Sequence, residues 1–166
     1  MNNRVAAIPK GYHSVTPSLV VNGASGAIEF YKKAFGAVVE FRLDRKDGKV
    51  LHAAIRIGDS IIMLADECRP HKGHNENCVR PAEALKGTTV NLYLYVKDAD
   101  AVFKKAIAAG GKEIVSLMDM FYGDRIGLLK DPFGHLWTVA TQKEHVSFAQ
   151  LKARMAEFCA LNPAVC

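Results

Sequence analysis

Two βαβββ modules in tandem, an α+β fold with the helices on one side of the strands, are predicted from three observations. Apolar spacing switches between a period of two and a period of about 3.6 in the order strand, helix, strand, strand, strand, and does so twice. The second pass repeats the first at a constant offset of 75 residues: Val21 falls on Val96, Ala24 on Ala99, Ile28 on Phe103 and Gly36 on Gly111. A polar stretch with Pro70, Gly73, Asn75, Asn77 and Pro81 separates the passes. Each module has a sheet and a helix that must bury one another. Two of them side by side give one curved, cup-like mixed sheet with helices outside. The expected bounds are 1–66 and 88–142 for the modules, 67–87 for the connecting loop and 143–166 for a C-terminal helix and tail.

In the first module Val15–Val21 reads as a strand, kept short or at an edge by Pro17. Ala24–Phe35 is helical, with a stripe of Ala24, Ala27, Ile28, Tyr31 and Phe35 and a stop at Gly36. Val38–Asp44 alternates, with Val39, Phe41 and Leu43 on one face; Asp47-Gly48 turns the chain into Val50–Ile57. Gly58-Asp59 leads to Ser60–Ala65. In the second module Thr88–Val96 is a strand, and Asp98 caps a helix striped by Ala99, Val102, Phe103, Ala106 and Ile107. Strands follow at Glu113–Met118, Tyr122–Lys130 and Leu136–Thr141, the last two joined by the turn Asp131-Pro132-Phe133-Gly134. Ser147 caps an amphipathic helix through Phe158 that is expected to pack on its own domain.

Composition narrows the function classes. The chain of 166 residues is 49% apolar, enough for one domain or two modules sharing a core. No apolar run approaches the roughly 18–20 residues of a membrane span, and the first residues lack the apolar core of a secretion signal. A cytoplasmic location, no membrane partner and free thiols at Cys68, Cys78, Cys159 and Cys166 are therefore expected. The net charge of +5 is dispersed, without a basic patch interleaved with aromatics, so no nucleic-acid partner is expected. Cys68, His71, His74 and Cys78 have spacings that zinc ligands use, but they crowd one short loop, and a solvated loop is the expectation.

Alternation places a polar set opposite the helix-facing residues: Thr16, Ser18, Glu40, Arg42, His52, Arg56, Met63, Asn91, Tyr93, Tyr95 and Thr138. A solvated outer face would favour Lys and Glu; this mixture suits a small-molecule ligand. Arg42, His52 and Arg56 are expected to share one wall with Tyr93 near, favouring an anionic or acceptor-rich molecule.

Three phrases carry a resemblance: Gly-Tyr-His-Ser-Val-Thr-Pro at Gly11–Pro17, Tyr-Gly-Asp-Arg at Tyr122–Arg125, and Asp-Pro-Phe-Gly-His at Asp131–His135. Over roughly residues 12–142 the chain resembles the vicinal oxygen chelate superfamily of glyoxalases, bleomycin-resistance proteins and dioxygenases, and within it the bacterial PhnB-like subgroup. The resemblance implies the paired-module fold and a homodimer. It also implies a metal held by one residue from the first and one from the fourth strand of each module, usually His, Glu or Gln. Those places fall on Thr16, Met63, Asn91 and Thr138. None is a usual ligand of a catalytic divalent ion, so the family's metal site is expected to be lost.

The expected function is thus a metal-free protein that binds a small polar or anionic molecule, with no cofactor. The ligand-binding candidates are Thr16, Arg42, Arg56, Met63, Asn91, Tyr93, Tyr122, Arg125 and Thr138. Two alternatives stay open. One is a divalent-metal-dependent lyase or isomerase with His13 or His52 as ligand. The other is a metal-free enzyme with His52 as catalytic acid and base. Asp124 and Arg125 also read as a structural ion pair at a strand end, and His135 as a turn or packing residue.

Overall fold

The computed structural model describes residues 5–68 and 79–163. The first module consists of β1 (Ser18–Val21), α1 (Ala24–Phe35), β2 (Val38–Asp44), β3 (Val50–Ile57) and β4 (Ser60–Asp66). A short helix, α2 (Ala82–Leu85), precedes the second, which consists of β5 (Asn91–Tyr95), α3 (Ala99–Ala108), β6 (Lys112–Asp119), β7 (Asp124–Lys130) and β8 (Leu136–Gln142). The chain then forms α4 (Phe148–Leu161). The fold is α+β with two βαβββ modules, as the repeat predicts. The ladders close within each module, in the orders β1-β4-β3-β2 and β5-β8-β7-β6, each with one parallel and two antiparallel pairs. The chain divides into two compact units, Met1–Thr89 with Pro132–Gly134, and Val90–Asp131 with His135–Cys166.

The same device anchors the helix in each unit. α1 starts after Gly23, which has φ 86° and no side chain to cap the helix. Asp66, the last residue of β4, supplies the cap instead. Its Oδ1 accepts the N–H groups of Gly23 and Ala24 at 2.8 and 3.0 Å, and its Oδ2 accepts that of Val50 at 2.8 Å. One buried carboxylate thus ties α1, β3 and β4 together. Seventy-five residues on stands Thr141, whose hydroxyl accepts from the Ala99 N–H and donates to the Val96 carbonyl, both at 2.8 Å. In α3 the N-cap Asp98 also accepts from the Ala101 N–H at 2.9 Å, as its position predicts.

The cores follow the predicted stripes. In the first unit Ala24, Ala27, Ile28 and Tyr31 of α1 are buried, with Leu19, Val21, Ala53, Ile55 and Leu64 on the sheet. In the second, Ala99, Phe103 and Ala106 of α3 are buried, with Leu129, Trp137 and Val139. Gly127 is what lets α3 approach β7: a Cβ there would stand 2.7 Å from the Phe103 ring. After β7, Asp131 organises the predicted turn. Its carboxylate accepts from the His135 N–H at 2.9 Å and from the buried Trp137 indole at 3.0 Å, and Gly134 has φ 91°.

Several elements differ from expectation. β1 and β5 are shorter at both ends or one, leaving Thr16 and Pro17 outside the ladder; Pro17 contributes only its carbonyl, to the Met63 N–H. β7 starts at Asp124 because Gly123, at φ 95°, closes a turn onto the Met120 carbonyl. The expected connecting loop contains α2, whose first turn tolerates Pro81. Strand β2 departs most. Val39 pairs with Ile55 but Phe41 pairs with Ala54, so Glu40 is the extra residue of a bulge. Alternation reverses there, and Phe41 and Leu43 leave the helix-facing side. Leu51 is likewise extra on β3 and is 53% exposed. Among the described residues no helix is long and apolar enough to cross a membrane.

Two outcomes test this account. Burial raises the Asp66 carboxyl pKa, but the N–H groups of Ala24, Val50 and Gly23, with Lys49 nearby, outweigh it, and the group titrates below its ordinary 3.8. Its stabilising effect is therefore present above that value and is lost as pH falls through the folded pKa. Asp66→Asn should lower unfolding free energy by about 2–3 kcal/mol at neutral pH, and the gap to wild type should narrow in acid; a pH-independent gap in urea titrations refutes the tie. Gly127→Ala should cost about 1–3 kcal/mol by overpacking, and adding Phe103→Leu should recover part of it. Simple additivity of the two substitutions refutes the close approach.

Candidate functional site

Cross-strand register decides which side chains share the sheet face away from the helix. In the first module Ala54 pairs with Met63 and with Phe41, His52 with Leu43, Arg56 with Val38 and Ile61, and Ser18 with Met63. These residues form one face. The Phe41 and His52 rings lie 5.3 Å apart, and Arg56 Nε donates to Glu40 Oε1 at 2.6 Å. His52 has no hydrogen-bond partner among the described residues, so nothing orients its imidazole as a catalytic base requires.

Arg42 does not join that face. The Glu40 bulge turns it to the α1 side, where it donates to Ser25 Oγ and Asp44 Oδ1, both at 2.8 Å. The expected wall of Arg42, His52 and Arg56 is thereby reduced to His52 and an already paired Arg56. Arg125 is also on the helix side, since it alternates with Asp124 and pairs with Asp119 and Thr141. It makes two bonds to Asp100 of α3, at 2.7 and 2.8 Å, and one to Asp119 at 3.2 Å. The hydrogen bonds that Arg125 donates to Asp100 and then to Asp119 raise its pKa further. The expected Asp124–Arg125 ion pair is absent because neighbours in a strand point to opposite faces.

The second module's open face gathers a different set. Asn91, Tyr93 and Tyr95 of β5 share it with Thr138 of β8 and Asp124 of β7. Asn91 Nδ2 donates to Thr138 Oγ1 at 2.7 Å. The Tyr95 hydroxyl donates to Asp124 Oδ2 at 2.7 Å, and the carboxylate is buried. The Tyr93 and Tyr95 rings are 5.1 Å apart and tilted by 41°. Tyr122 comes from the turn before β7; burial, then its hydrogen bond to Tyr93, raises the Tyr93 pKa. The Tyr95 pKa is raised by the bond to Asp124, then by burial. Both phenols are held protonated at neutral pH. The turn carrying Tyr122 is in turn held by α4: Arg154 bonds the Phe121 carbonyl and, doubly at 2.8 Å, Glu144, while Phe121 and Phe158 lie 5.1 Å apart. Sequence reasoning included Tyr93 and Tyr122 but passed over Asp124 as a ligand-face residue; strand alternation from Leu128 was the signal that places it.

The four positions that the resemblance assigns to a metal supply poor donors. Asn91 and Thr138 bond each other; Met63 offers a thioether; Thr16 lies before β1 with its hydroxyl on the His13 carbonyl at 3.0 Å. Neutral amide, hydroxyl and thioether groups do not fit a catalytic divalent ion, which asks for carboxylate or imidazole. Among the described residues no cluster of three or more His, Cys, Asp or Glu side chains is placed to hold a metal. His71, His74 and Cys78 lie outside the described residues. Of the cysteines, Cys68 is a free, exposed thiol, whereas Cys159 is disulfide-bonded, against expectation; spacing alone does not show which thiols approach within bonding reach. A surface recess of about 400 Å³ at the β2–β3 hairpin is lined by Arg45, Asp47, Lys49 and Cys68.

Known proteins give the context of this geometry. An uncharacterised protein of Mycobacterium bovis is 39% identical over 143 residues, 86% of this chain and 92% of that one. The crystal structure of TioX from Micromonospora sp. ML1 superposes with a TM-score of 0.61 at 24% identity, covering 77% of this chain and 97% of TioX, a likeness of fold. An X-ray structure of an Arabidopsis thaliana gene product matches with a TM-score of 0.60 at 27% identity, over 77% and 98% of the two chains. Residues 11–139 match the Glyoxalase/Bleomycin resistance protein/Dioxygenase superfamily, and the chain belongs to that superfamily.

Proposed function

We propose that this chain is a small-molecule-binding member of its superfamily that works without the superfamily's metal, and that the open sheet face of the second module holds the ligand. One observation carries the proposal. In the second module two tyrosines, an amide, a hydroxyl and a buried carboxylate are fixed on the strands of one sheet face, opposite the α3 side, with Tyr122 on the adjoining turn. Rigid aromatic surface with a few oriented polar groups is what a small ligand uses for affinity and selection.

The anionic ligand expected from a shared wall of Arg42, His52 and Arg56 does not fit the strand register. Arg42 and Arg125 are engaged on the helix side and Arg56 is paired with Glu40, so the open faces lack a free guanidinium among the described residues. A polar, aromatic-compatible molecule is the better fit. In the first module Phe41 and Met63 with His52 offer an apolar contact surface to the same class of ligand. The acid-base alternative through His52 lacks an orienting group and ranks below binding. The homodimer remains part of the proposal, resting on the exposed Val38, Phe41 and Leu43.

The test is a fragment titration followed through tyrosine ring resonances and melting temperature. Neutral, cationic and anionic aromatic fragments should include some that move the Tyr93 and Tyr95 signals and raise Tm, and Tyr93→Ala should remove the effect. A set in which no fragment moves either ring overturns the binding function.

A further inference from the structure

We propose that the second module's open face takes an organic cation, an ammonium or other protonated amine on an apolar or aromatic body. This rests on the binding function above and adds the charge class of the ligand.

That face carries Asp124 of β7. Its residue is 5% exposed, and the donor to its carboxylate is the neutral Tyr95 hydroxyl. No Lys, Arg or His among the described residues lies within ion-pair distance of it. A carboxylate removed from water without a cation is costly, and a charged ligand that settles near it relieves that cost. An anion brought to the same place would be repelled.

The surroundings of Asp124 favour a cation independently of that carboxylate. Tyr93 and Tyr95 are 44% and 61% exposed, so their ring faces are open while the Tyr95 hydroxyl is committed to Asp124. An ammonium within about 6 Å of a ring centroid is drawn to its negative face. With centroids 5.1 Å apart and planes at 41°, the two rings can flank a single cation.

The module's nearby cationic side chains are committed elsewhere: Arg154, beside the turn that carries Tyr122, is doubly bonded to Glu144. Arg125 is on the other face and bonded to Asp100 and Asp119, and Lys143 contributes its charge to Asp100 on that same side. Lys130 shares the face with Asp124 but at the opposite end of β7, six residues along, which is roughly 20 Å.

Calorimetric titration of the full chain with benzyltrimethylammonium, benzyl alcohol and phenylacetate separates the possibilities. Benzyltrimethylammonium is expected to bind about tenfold or more tighter than benzyl alcohol, and phenylacetate weakest. Asp124→Asn should lower the affinity for the cation about tenfold and that for benzyl alcohol much less. Should that variant fail to fold, Tyr93→Leu, which removes one exposed ring, is expected to weaken the cation several-fold. Equal or tighter binding of benzyl alcohol or phenylacetate, with Tyr93 and Tyr95 resonances moving, overturns the cation and leaves the binding function standing. Cation binding unaffected by Asp124→Asn and Tyr93→Leu also overturns it. Binding of none of the three overturns the cation, and the wider fragment titration then decides the binding function separately.

Discussion

A helix packed on a sheet has its N-terminal N–H groups pointing away from its own carbonyls, and each must find an acceptor. Here the acceptor comes from the far end of the module, from Asp66 in one unit and Thr141 in the other. The arrangement makes the last strand of each module a condition for seating its helix. Once the helix is seated on one side of the strands, the other side is left for chemistry. The open faces thus follow from two polar side chains placed at or next to the ends of two strands.

The two anchors occupy equivalent places but are chemically unlike. Asp66 brings a charge and reaches three donors, including the Val50 N–H of a neighbouring strand. Thr141 is neutral and shares its work with Asp98, which caps α3 from the helix's own start. α1 begins at a glycine and has no such help. Duplication of a module preserves the requirement for an acceptor and leaves open which residue meets it.

Much of this was legible in the chain. The repeat and the two alternating periods located both modules, and the bounds of α1, β2 and β3 agree with the spacing to the residue. The open-face set was read less well, for two reasons. Face assignment counts residues by twos, and a bulge adds one; beyond Glu40 every parity reverses, so Arg42 and Phe41 exchange sides. The second reason is pairing. Arg125 was legible as an ion-pair residue, but its partner, Asp100, is on a helix 25 residues earlier and not on the adjacent Asp124. Local sequence offers a charge its nearest neighbour, while strand geometry sends the two to opposite surfaces. The Tyr93 and Thr138 positions escaped both errors because β5 and β8 pair without irregularity.

The bulges have a consequence beyond re-aiming side chains. In each module one of the two edge strands, β2 or β6, pairs irregularly at two points, whereas the ladders among the other strands run in unbroken register. A flat terminal strand with free N–H and C=O groups is a template on which another chain can add indefinitely. Local twist at a bulge spoils that template. β2 also carries Val38, Val39, Phe41 and Leu43 at the surface, a composition that would otherwise invite fibrous stacking. Its irregular register allows such a strand to remain apolar at the surface without becoming a seed for aggregation.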